Sequence, residues 1–184
     1  MDTFEILSQL CSAAGVSGAE GSAAETAAKL LEEYGEVTLD NALGSAICKV
    51  GSWENGKPVM LLDAHIDEIG MIVTYITEDG FLKISGCGGL DTRLLLAQQV
   101  TVYGKEKLTG IVTSTPPHLE KDNSVVPDLD SVFIDIGFTS RENAEKYVSL
   151  GDRVLIENKA EKLAGSRVTS KAIDDRSGCT AILK

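Results

Sequence analysis

The fold class is indicated most clearly by the stretch Val59-Met60-Leu61-Leu62-Asp63-Ala64-His65-Ile66-Asp67-Glu68. Its first four residues are apolar on consecutive positions, which predicts a strand covered by helices on both faces. The ionisable residues that follow predict the carboxyl edge of the sheet, where α/β proteins place their functional sites. The stretch therefore predicts an α/β protein with a site at this edge.

Side chains alternate along a strand, so Asp63, His65 and Asp67 are expected on one face. A carboxylate placed there can accept a hydrogen bond from one ring nitrogen of His65 while the other nitrogen binds a metal ion. The alternative for this motif is a surface loop in which the acid and the imidazole are solvated. The residues of the motif leave both interpretations open.

Two helices are predicted before this stretch. Asp2 with Glu5 has the pattern of a capping box, and Ser17 with Glu20 repeats it. The second helix is expected to end at Gly35, which is a typical residue just beyond a helix C-terminus.

From Val37 onward the sequence changes to short β-branched runs that are separated by turn residues. Alternation in Gln99–Tyr103 differs from the consecutive apolar run before Asp63, which indicates a second sheet environment. Thr139 with Glu142 predicts a short helix, and residues 154–157 predict a further strand.

A second ionisable cluster lies near the end of the chain, in Lys171-Ala172-Ile173-Asp174-Asp175-Arg176-Ser177-Gly178. A final helix is expected to begin at Asp174 or Asp175, with Gly178 allowing close packing. One carboxylate can bridge two divalent ions that lie roughly 3.5–4 Å apart, and Asp174 is the candidate for this role. The alternative is an N-cap aspartate with a neighbouring acid that interacts with the helix dipole.

Composition excludes several function classes. The 184 residues include 17 basic and 28 acidic side chains, for a formal charge of −11, so neither nucleic acid nor an anionic membrane surface is an expected partner. No signal segment or membrane span is recognisable, and a cytoplasmic location is expected. The four cysteines contain no Cys-x-x-Cys pair and are predicted to be reduced core thiols.

The two ionisable clusters resemble the tetrahedral, or glutamyl/leucyl, aminopeptidase family of dinuclear metallopeptidases, some members of which carry the label cellulase M or endoglucanase. The resemblance extends over the whole chain and is strongest at residues 63–70. Further matching segments occur in the same order as in the family: residues 10–20, Asp40, Gly44, Gly88-Gly89, Gly110-Ile111-Val112, Pro117-His118-Leu119, Asp135-Ile136-Gly137, Gly151-Asp152 and residues 172–176.

This resemblance implies an α/β metallopeptidase catalytic domain that is interrupted by a PDZ-like β-barrel. The expected domains are residues 1–69 for the first part of the catalytic domain, 70–165 for the inserted barrel, and 166–184 for a truncated second part. In the family the barrel makes dimer contacts within a large assembly, so a homo-oligomer is expected.

The resemblance also implies the site. His65 would bind one metal ion, Asp174 would bridge two ions, and Asp67 would hold the His65 ring in place. Cobalt, zinc or manganese would suit imidazole and carboxylate ligands. The implied reaction removes the N-terminal residue of a short peptide with a metal-activated water.

Family members are nearly twice as long as this chain, and their general base and remaining ligands lie beyond the position that corresponds to Lys184. Neither Glu68 nor Glu120 matches the general-base motif, so no general base is assigned. The isolated chain is therefore expected to be inactive and to bind divalent ions weakly.

Other classes make different predictions. A noncatalytic self-association module would use only the barrel, and a glycosidase would need a pair of carboxylates in a sugar cleft, which is not identifiable. A serine hydrolase is disfavoured because the residues around Ser17 lack the closing glycine of a nucleophile elbow. His118 lies in a proline-rich segment and is expected to be structural or at an interface.

Overall fold

The computed structural model describes residues 1–40, 42–114 and 128–184. These residues form two compact units, one made of Met1–Glu68 with Asn158–Lys184 and the other of Ile69–Glu157. None of the helices in the described ranges is long and apolar enough to cross a membrane.

The first unit begins with helix α1, Thr3–Ser12, whose N-terminus has the predicted capping box. Glu5 N–H donates to Asp2 Oδ1 at 2.8 Å, and Asp2 N–H donates to Glu5 Oε2 at 2.8 Å. Helix α2 covers Gly21–Leu31 and is followed by the antiparallel strands β1, Glu36–Asp40, and β2, Ser45–Lys49. The prediction of an early capping box is confirmed for α1.

The capping box predicted for the second helix is wrong. The N-cap of α2 is Glu20, which makes no side-chain capping hydrogen bond, and its carboxylate instead accepts from Gly18 N–H at 2.5 Å. Ser17 lies before the helix, and its hydroxyl bonds to Asp67 instead of capping α2. The local pattern was misleading because a more distant acceptor competes for the serine hydroxyl.

The predicted buried strand at Val59–Leu62 is also not formed. No ladder is assigned to these residues, and their exposed fractions are 64, 84, 83 and 62%. A central strand needs a neighbour on each side. Among the described residues of the first unit, β1 pairs with β2, and the remaining ladder joins two strands near the end of the chain.

The elements of the second unit are β3 Gly70–Ile76, β4 Leu82–Cys87, β5 Gln99–Tyr103, β6 Lys107–Ser114, β7 Val132–Asp135, helix α3 Arg141–Ala144 and β8 Arg153–Ile156. Its strands form a closed antiparallel barrel in the order β3-β4-β7-β6-β5-β8. Inward-facing residues such as Met71, Leu82, Val102 and Ile134 are fully buried in its core. The N-cap of α3 is Ser140, one residue after the predicted Thr139.

The chain then returns to the first unit. Strands β9, Glu161–Lys162, and β10, Val168–Thr169, pair with each other, and helix α4 covers Ile173–Ile182. The core of this unit includes Leu10 of α1, Leu30 of α2 and Leu183. Residues from both ends of the sequence thus build one core, which brings the two ionisable clusters into the same unit.

Candidate metal site

The two clusters meet in the first unit. Asp174 Oδ1 lies 3.2 Å from His65 Nε2, although the two residues are 109 positions apart in the chain. The other ring nitrogen of His65, Nδ1, lies 2.9 Å from Asp67 Oδ1. All three residues that the sequence singled out for a metal site therefore lie within hydrogen-bonding distance of at least one other, and their roles as ligands stay predictions.

Ser17 extends this chain of contacts by one residue. Its Oγ donates a hydrogen bond of 2.5 Å to Asp67 Oδ2, so Asp67 uses one oxygen for Ser17 and the other for His65. Sequence reasoning missed this contact, since Ser17 also fits the pattern of a helix cap. The two hydrogen bonds, one on each oxygen, together fix the orientation of the Asp67 carboxylate.

The local charges shift the pKa values of two groups. The hydrogen bond from Ser17 lowers the pKa of Asp67, and the interaction with His65 lowers it further. For His65, burial lowers the pKa, but the hydrogen bonds to Asp67 and Asp174 outweigh this effect and leave the pKa raised. Asp67 is thus held ionised as the partner of the His65 ring.

Asp174 and its neighbour Asp175 have different partners. Both have non-helical backbone torsions near the start of α4. The N-cap of this helix, Ala172, has a left-handed φ of 56°. Asp175 Oδ1 accepts from Gly178 N–H at 3.1 Å, so Asp175 performs the capping role that was the alternative for Asp174. Asp174 remains 96% exposed at its side chain and faces His65.

Gly178 leaves room for this cap. A Cβ atom at position 178 would lie 2.6 Å from each oxygen of the Asp175 carboxylate. The close packing predicted for this glycine is therefore present, and it serves Asp175.

The distance between His65 and Asp174 suits a shared cation. When Nδ1 of a neutral ring donates to Asp67, Nε2 is an acceptor, and it faces a second acceptor on Asp174. Two such acceptors attract a proton or a metal ion between them. With metal–ligand bonds of about 2.1 Å, two ligands at a tetrahedral angle are about 3.4 Å apart, close to the observed 3.2 Å.

The described residues provide only part of a metal site. In the ranges 1–40, 42–114 and 128–184, no group of three or more His, Cys, Asp or Glu residues has the arrangement of a metal site. An imidazole and a carboxylate are suitable donors for a divalent ion, but a structural or catalytic site normally has at least three protein ligands. The donor set fits the metal in chemistry and falls short in number.

Glu68, which directly follows the His65 motif, has a different role from its acidic neighbours. Its side chain is only 2% exposed and forms ion pairs with Lys171 and Arg176. A carboxylate that is buried and paired in this way is not available to a substrate, in agreement with its exclusion as the general base. His118, predicted to be structural or at an interface, lies outside the described residues.

The cysteines are all unpaired. Cys11 is buried and the other three are half-buried. Cys179, on α4, donates through Sγ to the carbonyl oxygen of His65 at 3.4 Å, and burial raises the pKa of this thiol. The Cys179 thiol therefore stays protonated and donates a hydrogen bond to the backbone of His65.

Comparison with known proteins relates this geometry to peptidases. The family model described as M42 glutamyl aminopeptidase matches residues 44–184. The putative aminopeptidase FrvX of Escherichia coli K12 is 36% identical over 182 residues, which are 96% of this chain and 50% of that protein. The chain spans about half the length of the curated relatives it matches.

Two solved structures extend the comparison to the fold. A TET aminopeptidase from a marine sediment archaeon of the Thaumarchaeota matches with a TM-score of 0.89 and 33% identity, covering 98% of this chain and 52% of that one. A TET1 peptidase of Pyrococcus horikoshii, described as able to assemble into a tetrahedron or a large octahedral shell, matches with a TM-score of 0.88 and 32% identity. That match covers 99% of this chain and 55% of the other.

Proposed function

Because the chain belongs to the M42 glutamyl aminopeptidase family, we propose that it supplies part of the active site of a metal-dependent enzyme that removes N-terminal residues from short peptides. The observation that carries the proposal is the separation of 3.2 Å between His65 Nε2 and Asp174 Oδ1. These atoms come from residues that are 109 positions apart in the sequence, and both side chains are largely exposed to solvent. Their convergence is explained by a shared ligand.

Each residue of the site has a distinct task in this proposal. His65 and Asp174 would hold the metal, His65 through Nε2 and Asp174 as the carboxylate proposed to be shared by two ions, and Asp67 would keep the ring oriented through its hydrogen bond to Nδ1. Zinc, cobalt or manganese suits these ligands. When bound, such ions lower the pKa of a water molecule and polarise the peptide carbonyl group.

Asp67 determines which nitrogen of the His65 ring carries the proton. Because its pKa is lowered, Asp67 stays a carboxylate and keeps the Nδ1 proton of His65 in place. The lone pair of the neutral ring is then at Nε2, on the side of Asp174. Asp67 thereby selects the tautomer that binds a metal.

We also propose that the 184-residue chain alone is inactive. Two divalent ions require more ligands than His65 and Asp174 provide, and no general base is assigned in the chain. The exposed apolar run Val59–Leu62 supports the same view, since it has the composition of a central strand and the described part of the chain places no strand beside it. A further polypeptide segment would complete both the sheet and the metal site.

The barrel unit supports a proposal of its own, namely that the chain forms homo-oligomers through residues 69–157. It carries exposed apolar side chains, including Leu94, Ile111 and Leu150. Large exposed apolar side chains are typical of interfaces when they cluster. If this were the only role of the chain, the protein would be a noncatalytic self-association module, and substitutions at His65 would have no effect on any activity.

The four unpaired thiols fit a reducing compartment, so we propose a cytoplasmic location.

The function is tested with a chimera of this chain and the half of FrvX that the match does not cover. The chimera is expected to release the N-terminal residue from amino-acid p-nitroanilides in the presence of zinc, cobalt or manganese, and the isolated chain is not. His65→Ala and Asp174→Asn are expected to lower the turnover of the chimera by at least about a hundredfold. An unchanged rate in both variants, or turnover by the pure isolated chain, would contradict the proposal.

A glucan substrate in the same assay separates the peptidase from a glycosidase. The chimera is expected to leave the glucan intact, because no carboxylate pair facing a sugar cleft has been identified in the sequence. Release of reducing sugar that Asp174→Asn abolishes would favour the glycosidase instead.

A further inference from the structure

A buried ion cluster lies in the same unit as the candidate metal site. The Glu68 carboxylate accepts from Lys171 Nζ at 2.7 and 2.8 Å and from Arg176 Nη2 at 3.2 Å. The Arg176 side chain is fully buried, and the Lys171 side chain is only 11% exposed. Charged groups are rarely buried to this degree unless each one is paired.

Arg176 also contacts the backbone on both sides of the cluster. Its Nε donates to the carbonyl oxygen of Ile66 at 3.1 Å, and its Nη1 donates to the carbonyl oxygens of Leu10 and Ala13 at 2.5 and 2.6 Å. Lys171 Nζ donates to the carbonyl oxygen of Ala13 at 3.2 Å as well. The cluster thus connects the end of α1, the His65 segment and the start of α4.

The contacts of this cluster lie close in sequence to the candidate metal ligands His65 and Asp174. Lys171 precedes Asp174 by three residues and Arg176 follows it by two, so the turn that carries Asp174 is anchored on both sides. On the other segment, Ile66 lies between His65 and Asp67, and Glu68 follows directly. Every anchor is therefore within three residues of a candidate ligand.

The ligand side chains themselves have little support from packing. The His65 side chain is 55% exposed and that of Asp174 is 96% exposed. Packing does not fix side chains so open to solvent. Beyond the hydrogen bond of the His65 ring to Asp67, the distance between them therefore depends on how their backbone segments are fixed. Besides the hydrogen bond of Cys179 Sγ to the His65 carbonyl oxygen, the ion pairs and hydrogen bonds of Glu68, Lys171 and Arg176 join these two segments.

We propose that Arg176, together with Glu68 and Lys171, is a positioning group that sets the separation between His65 and Asp174 and thereby the affinity for metal. This inference rests on the proposed function, because it takes those two residues as ligands. Replacing a buried ion cluster with apolar side chains often leaves stability unchanged, so stability alone does not account for it. An apolar side chain at position 176 could not donate a hydrogen bond to the carbonyl oxygen of Ile66, the residue between His65 and Asp67.

The close packing of Gly15 against Arg176 is independent evidence that the guanidinium group occupies a fixed position. A Cβ atom at Gly15 would lie 2.6 Å from Arg176 Nη2 and 2.8 Å from the Cβ atom of Ala23. Gly15 N–H also donates to Glu68 Oε1 at 3.0 Å. The backbone at Gly15 therefore approaches both charged partners more closely than a residue with a side chain could.

The test measures zinc binding at His65 in the full 184-residue chain. The chain has only two histidines, so the ring nitrogens of His65 can be followed by NMR during a zinc titration even when binding is weak. Arg176→Lys is expected to raise the zinc concentration at half-saturation by about 10- to 100-fold, the usual effect of losing an outer partner of a ligand. Lys171→Met is expected to act in the same direction and serves if Arg176→Lys does not fold.

The control is Arg141→Lys in the barrel unit, where Arg141 forms an ion pair with Glu78 and contacts the Tyr75 ring. It is expected to leave the zinc midpoint at His65 unchanged. Thermal unfolding is measured for every variant, and zinc binding is measured well below the unfolding temperature. A group with a purely structural role would lower the unfolding temperature and leave zinc binding by the folded chain unaltered.

The outcomes distinguish a failure of the ligand assignment from a failure of the positioning role. If His65 in the native chain does not respond to zinc, the ligand assignment fails, and the positioning role fails with it. If the native chain responds and folded Arg176→Lys and Lys171→Met bind zinc as well as the native chain does, only the positioning role is overturned.

Discussion

Ser17 and Asp67 are joined by a hydrogen bond of 2.5 Å between the serine hydroxyl and the carboxylate, across 50 positions of sequence. This contact leaves the other oxygen of Asp67 for the His65 ring. It also is the main cause of the lowered pKa of Asp67. The hydroxyl therefore acts on the metal site through two successive hydrogen bonds.

Ser17→Ala is expected to raise the pKa of Asp67 toward its ordinary value, because the carboxylate loses its strongest hydrogen-bond donor. The midpoint for zinc binding at His65 is expected to rise by several-fold, since the ring is held less firmly. Carbon-13 NMR of the Asp67 carboxyl group measures the first effect, and His65 ring shifts measure the second. Ser12→Ala, which removes a hydroxyl that donates to the Ser8 carbonyl oxygen within its own helix, is the control. An Asp67 pKa that does not move in Ser17→Ala would contradict this account.

The raised pKa of His65 predicts how the metal-free site responds to pH. A pKa raised by folding means that the protonated ring is stabilised in the native state. This contribution is complete below the ordinary histidine pKa and is lost as the pH rises through the higher native value. Zinc competes with the same proton, so zinc binding is expected to strengthen over that same rise in pH.

Asp174→Asn tests this prediction, because it removes one of the two carboxylates that raise the His65 pKa. NMR titration of the ring is expected to give a lower pKa in the variant than in the native chain. His118→Gln assigns the two histidine signals without changing any residue of the site. If the pKa of His65 is the same with and without the Asp174 carboxylate, the two groups are not in contact in solution.

Features that depend on nearby residues could be predicted from the sequence. The capping box of α1 involves two residues three positions apart, and the strand β5 follows from alternation within one short segment. The involvement of His65, Asp67 and Asp174 in one site came from the family resemblance, and their proximity is observed. Local pattern alone left both clusters with a solvated or capping alternative.

Features that depend on distant partners could not be predicted in this way. Ser17 has the pattern of a cap, yet its hydroxyl bonds to a carboxylate outside its own segment. Arg176 follows two acids at the start of a helix, where a charged side chain is usually exposed, but it is fully buried against backbone carbonyl groups. The apolar run at Val59–Leu62 predicts burial, and burial requires partners that the described residues do not provide.

Gly15→Ala is expected to destabilise the first unit by about 1–3 kcal/mol, because the new methyl group overlaps with Arg176 Nη2 and the Ala23 side chain. Calorimetric unfolding of the full chain measures the change. Gly21→Ala is the matched control, since no described atom beyond its chain neighbours and the backbone of its own helix lies within 4 Å of the added methyl group, and the site begins helix α2. It is expected to be neutral or to stabilise the chain by up to about 1 kcal/mol. Equal effects of the two substitutions would mean that the space at Gly15 is not restricted.

The exposed run Val59–Leu62 predicts that the isolated chain aggregates. Four consecutive apolar residues that have no ladder partner among the described residues offer an apolar surface to another copy of the same segment. Leu61→Lys places a charge in the middle of the run and is expected to delay aggregation on heating, as measured by light scattering. Leu43→Lys is the control, because Leu43 is similarly exposed, at 79%, but lies in a turn between Ala42 and Gly44 and is not part of an apolar run. If both lysines delay aggregation equally, added charge alone accounts for the effect, and the run has no special role.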